Sequence, residues 1–275
     1  MNILKQIMKV SVILIWCGAI VHAQDSVADR VSVPFSDADR PGFVKANLIN
    51  GSIIVEGYDG KEVMIEAVVR TRKYSRGRSN SKGLKRIVMS STGLRVEEYH
   101  NVMTISASSH MRTVDFTLKV PRKTNLKLMT VNGGKIVVED VEGEIELNNT
   151  NGSITARNIS GSVVANTTNG KVEVTFGKVT ADKPMSFVTF NGKVDVTFPA
   201  NIKANVKMKS EQGEIYSDFE ISLEQKPRLM REDNRGRGGK LSIKVESSIF
   251  GSINGGGPSY WFSTYNGSIY IRKNP

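Results

Sequence analysis

Asn-Gly pairs recur along this 275-residue chain at a spacing close to 20, and no other feature limits its fold as strongly. Asn132-Gly133 leads into Lys135-Ile136-Val137-Val138, and Asn151-Gly152 into Ser153-Ile154-Thr155-Ala156. Asn169-Gly170 leads into Lys171-Val172-Glu173-Val174, and Asn191-Gly192 into Lys193-Val194-Asp195-Val196. With Gln212-Gly213 the glycines are spaced by 19, 18, 22 and 21 residues, and outlying copies stand at Asn50-Gly51 and Asn266-Gly267. Asn and Gly enter positive-φ backbone at low cost, so each pair is a turn. The residues after each pair alternate apolar and polar, the period of a strand with one buried face. Val172, Val174 and Phe176 then point inward with Val194, Val196 and Phe198, while Glu173, Thr175, Asp195 and Thr197 point outward.

Two all-β architectures accommodate such turns. Asn-Gly between strands is a strong hairpin signal and favours an antiparallel meander. A regular period with equivalent turns favours a solenoid, in which equivalent valines stack and equivalent Asn side chains form hydrogen-bonded ladders. The recurrence of Asn itself selects the solenoid: a single elongated parallel β-solenoid, with coils of about 20 residues stacked one after another and little helix. Half-step glycines (Gly143, Gly161) open further short runs, and Val120-Pro121 and Phe198-Pro199 close strands, since Pro cannot donate to a ladder.

The expected organisation is a secretory signal at 1–23, a linker or first strand at 24–42, and the solenoid at 43–273. Lys5 and Lys9 precede an apolar run from Val10 to Val21 that ends at Val21-His22-Ala23, a signal-peptide pattern with cleavage after Ala23. Cleavage removes Lys5 and Lys9 and no acid, taking the formal charge from +11 to +9. It also removes Cys17, the single cysteine, and leaves His100 and His110 as the only histidines. Disulfide frameworks, cysteine metal clusters and redox pairs are thereby excluded, and the expected location is extracytoplasmic.

The T-x-N-G turns (Thr130 to Gly133, Thr167 to Gly170, Thr189 to Gly192, Thr264 to Gly267), the half-step glycines and the strand-closing prolines resemble the DUF4097 family of adhesin-like β-strand-repeat proteins. The resemblance runs from about Phe43 to Lys273. It implies a β-solenoid in an exported bacterial protein, with adhesion as the proposed role, and it transfers no catalytic residue. Gln212 departs from the turn pattern, and two basic stretches interrupt it.

Motifs for chemistry are absent. There is no phosphate loop, no G-x-S-x-G elbow and no calcium-binding Gly-Gly-x-Gly-x-Asp repeat, and no cofactor is implied. Because parallel β-helices can act on polysaccharides, the outward carboxylates Glu173 and Asp195, with Glu144 and Glu146 nearby, are the acid/base candidates. Outward carboxylates alternating with Lys read more simply as a solvated strand face.

The first basic stretch, 70–86, carries Arg70, Arg72, Lys73, Arg76, Arg78, Lys82, Lys85 and Arg86 without an acid. The second, 226–240, carries Arg228, Arg231, Arg235 and Arg237, and both read as long polar loops. They are candidates for capturing anionic polysaccharide or lipid headgroups, against the plainer reading of solvated insertions. Nucleic acid is disfavoured by export. Trp261 is the candidate aromatic contact for a sugar ring, although Tyr260-Trp261-Phe262 reads first as a plug for the open end of the last coil. The functional expectation is a non-enzymatic envelope protein of adhesin-like or scaffolding type. A carbohydrate-active β-helix and an envelope sensory module that binds another protein are the alternatives.

Overall fold

A computed structural model describes residues 28–70, 91–108, 112–224, 229–233, 241–245 and 247–274. The fold is all-β, and the described residues contain no helix. The first nine strands are β1 (Ala28–Pro34), β2 (Gly42–Asn50), β3 (Ile53–Tyr58), β4 (Glu62–Val69), β5 (Leu94–Tyr99), β6 (Val102–Ala107), β7 (Val114–Pro121), β8 (Thr124–Asn132) and β9 (Ile136–Glu139). Next come β10 (Glu142–Asn151), β11 (Ile154–Asn169), β12 (Val172–Val179), β13 (Met185–Asn191), β14 (Val194–Phe198), β15 (Ala204–Gln212), β16 (Ile215–Ser217) and β17 (Ile221–Leu223). The last are β18 (Leu229–Asp233), β19 (Leu241–Val245), β20 (Ile249–Ile253), β21 (Ser259–Asn266) and β22 (Ile269–Lys273).

Each turn pair sends the chain from one row of strands to a second row across the core. The first row runs β5, β6, β2, β8, β10, the second half of β11, β13, β21, β15, β20, β17. The second runs β1, β4, β7, β3, β9, the first half of β11, β12, β14, β22, β16. Central pairings are parallel and in register, so that Ile145 meets Val163 and Val163-Val164-Ala165 continues against Ser186-Phe187. β11 turns the corner between rows at Asn158 (φ 51°) and Gly161 (φ 146°). The inward positions of both rows form one continuous core: Val172, Val174, Phe176, Val194, Val196 and Phe198 are all at most 1% exposed. Phe176 stacks on Phe198 at 5.1 Å, and Phe187 on Phe262 at 5.3 Å.

Three features differ from the sequence-based expectation. The ends of the spiral are antiparallel, through β1–β4, β4–β7 and β5–β6 at one end and β15–β20 and β17–β20 at the other. The turns do not stack in chain order: β21 lies between β13 and β15, and β22 between β14 and β16. Parallel in-register pairing needs only turns that match in position, so a late copy fits between two neighbours of the same register, here those ending at Asn191-Gly192 and Gln212-Gly213. Finally, part of the second basic stretch is a strand, since β18 pairs antiparallel with β19 as a separate two-stranded ribbon.

Candidate functional site

The turns come together as two ladders. Along the corner, Asn151 Nδ2 donates to Asn132 Oδ1 (3.3 Å), Asn169 to Asn151 (2.8 Å), Asn191 to Asn169 (2.7 Å) and Asn266 to Asn191 (2.7 Å). Two residues before most of these turns, a side chain that is buried (partly so at Ser210) donates to the glycine carbonyl of the adjoining turn. Thr130 reaches Gly51 (2.7 Å), Thr167 Gly152 (2.9 Å), Thr189 Gly170 (2.7 Å), Thr264 Gly192 (2.9 Å) and Ser210 Gly267 (2.9 Å). Asn149 plays the same part toward Gly134. A Cβ on Gly192 would stand 2.3 Å from the Gly170 carbonyl oxygen, so the close stacking itself requires glycine there. Gly133 stands outside this column: it is an extra residue at φ 65°, and Gly134 takes the stacking position against Gly51.

The outward residues of the second row are closed by ion pairs. Glu173 faces Asp195 in register. Lys193 bridges them at 3.1 and 3.0 Å, Lys171 reaches Glu173 at 2.6 Å, and Arg272 grips Asp195 at 2.7 Å. Burial pushes both carboxyls up, but hydrogen bonds from Lys171 and Lys193 to Glu173, and from Arg272 and Lys193 to Asp195, outweigh it and hold both below their ordinary values. The Asp195 hydrogen bond in turn raises Lys193. On the first row, Glu144 of β10 pairs with Lys183, and Glu146 with Lys127 of β8, whose hydrogen bond lowers the Glu146 carboxyl. A general acid must hold a proton near neutral pH, and none of this geometry favours one.

Beside the turns, the outward side of the first row is different in character. The residue just before each turn's Asn, or before Gln212, forms a column that reads, in stacking order, Ile49, Val131, Thr150, Thr168, Phe190, Tyr265 and Glu211. Phe190 and Tyr265 stack at 4.8 Å with rings within 7° of parallel, 48% and 41% exposed. Thr167, Thr168, Val188, Lys209, Glu211 and Ser263 line the shallow groove around them. These two rings escape sequence reading because they are 75 residues apart; the signal was their shared position before Asn-Gly, informative only once the stacking order is known.

Trp261 is 44% exposed on the same side, but Lys207 Nζ lies 5.1 Å from its ring centroid. The expected plug at the end of the last coil is not found: Tyr260 and Phe262 are buried within the stack, with strands on both sides, and Trp261 sits between Ser186 and Lys207. Burial pushes the Tyr260 hydroxyl up to about 12. Of the first basic stretch, Arg70 grips Asp115 through two hydrogen bonds of 2.9 and 2.6 Å, which spends its charge locally. Arg72, Lys73, Arg76, Arg78, Lys82, Lys85 and Arg86 lie outside the described residues, as do Arg228, Arg235, Arg237, His110 and the segment 1–27 with Cys17 and Ala23. Arg231 falls in β18, opposite Ile243. No described helix is long and apolar enough to cross a membrane.

Among solved structures, a candidate cell adhesion protein of Clostridium sporogenes is 12% identical, with 90% of this chain and 100% of that chain covered at a TM-score of 0.47. A candidate adhesin of Bacteroides fragilis is 9% identical, covering 90% and 97% at 0.38. One from Parabacteroides distasonis is 10% identical, covering 90% and 98% at 0.26. No curated protein sequence matches the chain. The Toastrack DUF4097 family model matches residues 100–248, more than half of the sequence, including the turns at Asn132, Asn151, Asn169, Asn191 and Gln212. With the turn motif, its ladders and that match in agreement, the chain belongs to the Toastrack DUF4097 family.

Proposed function

We propose that this is an exported, non-enzymatic envelope or cell-surface protein of adhesin-like or scaffolding type, built as one elongated β-solenoid. The observation that carries the reading is the state of its outward rows. The carboxylates that an acid/base mechanism would use, Glu173 and Asp195, are held ionised by Lys171, Lys193 and Arg272, while the repeated turns present a long stiff surface. The apolar run before Ala23 supports export. The basic residues of 70–86 and 226–240 supply attraction for anionic polysaccharide or lipid headgroups.

The test is a pull-down of the protein lacking residues 1–23 with heparin beads and with phosphatidylglycerol vesicles, from low salt to about 0.5 M, where surface charges are screened within a few ångströms. Retention that falls steeply with salt is expected. Absent or salt-independent retention overturns the electrostatic capture.

A further inference from the structure

The outward aromatic rings differ in what already covers them. Lys207 lies over Trp261, at 5.1 Å from its ring centroid. On the opposite row Tyr270 is stacked by Tyr216 at 5.1 Å and approached by Arg272 at 5.0 Å and Lys193 at 6.0 Å. Among the described residues no cation lies over Phe190 or Tyr265. Rings stacked across adjacent strands cover only one face of each other. On the strands flanking the pair, the register sets Thr168, a short and exposed side chain, beside Phe190 and Glu211 beside Tyr265.

The polar groups beside these faces are hydroxyls and an ion pair. Thr168 and Ser263 line the groove, and Lys209 meets Glu211 at 2.7 Å, so the charges of that pair cancel. A ring face flanked by hydrogen-bonding groups of both signs and no net charge matches a sugar ring, which has an apolar face and a rim of hydroxyls. It does not match an anionic polymer, which would meet Glu211 and a lysine already paired. We infer that the Phe190–Tyr265 pair and its flanking groove form a binding site for a neutral glycan. This site is separate from the basic stretches and does not depend on the anionic-polymer reading.

Affinity electrophoresis in native gels containing soluble β-1,3-glucan, β-1,4-glucan or mannan tests it. Wild-type protein is expected to be retarded by at least one of the three, with retardation unchanged by added salt. The double variant F190T/Y265T is expected to lose affinity by about tenfold or more. Threonine already stands at this position in the adjoining turns (Thr150, Thr168), so the fold is retained, and thermal unfolding of the variant checks this. Phe190→Trp keeps a ring face and should retain binding, and Tyr216→Thr on the opposite row should leave it unchanged. Wild type unretarded by all three glycans overturns the site, as does a double variant retarded like wild type or retardation abolished by salt. The heparin and vesicle results stand or fall separately.

Discussion

Thr189 and Asn149 hold the same column position in different turns, each reaching to the next glycine carbonyl, but they satisfy it unequally. Thr189 spends its one hydroxyl proton on Gly170 at 2.7 Å. Asn149 donates to Gly134 at 2.9 Å, yet among the described residues its buried Oδ1 has no partner. Replacing Asn149 by Thr should therefore raise stability by about 1 kcal/mol, read as a higher urea midpoint at unchanged slope. Thr189→Val keeps the shape and removes the donor, leaving the Gly170 carbonyl short of a partner, and should cost about 1–3 kcal/mol in the same measurement. Gly192→Ala should cost more, at or above about 3 kcal/mol, because the added carbon meets a backbone oxygen that cannot move without opening the ladder.

Between elements, the second row is zipped on its outer side by charge, and this makes its pairing sensitive to acid. The folded state lowers the Glu173 and Asp195 carboxyls below their unfolded values, so their contribution is fully present above the unfolded range and is lost as pH falls through the folded values. Stability should fall below about pH 4, and the slope there should be shallower in E173Q/D195N, measured by urea unfolding across pH. Tyr260 gives the opposite sign: its hydroxyl is raised to about 12, so stability falls once pH exceeds the unfolded tyrosine value. Tyr260→Phe should flatten that alkaline loss. Around Glu173 and Asp195 the cations of the second row, Lys171, Lys193 and Arg272, are consumed by its own carboxylates and Tyr270.

For the whole molecule, the decisive fact is that a turn made from the last residues of the chain lies inside the stack. Phe262, only 13 residues from the C-terminus, is wholly buried and packs on Phe187 and Phe198. Phe262→Ala should cost about 3–5 kcal/mol, the loss typical of a central core residue and not of a fraying end. A small effect on the urea midpoint would mean that β21 is peripheral. The position of β21 also creates the aromatic pair, because it sets Tyr265 beside Phe190, 75 residues earlier in the chain.

Alternation at residues such as Val172, Val174 and Phe176, together with the Asn-Gly turns, determined by themselves that the chain is all-β, which side chains point inward and that the turn asparagines would ladder. Those properties follow from two-residue periodicity and from turn chemistry, both local. The stacking order is not local: the turns resemble one another along the chain, and packing places β21 between β13 and β15. The antiparallel ends likewise depend on which strands cover the last exposed edges. The candidate site inherits this division. Trp261 stood out in the sequence by its side chain alone, but it has no ring partner and Lys207 Nζ stands 5.1 Å from its centroid among the described residues. Phe190 and Tyr265 became a site only when the fold brought two distant copies of one motif side by side, a juxtaposition that local sequence does not encode.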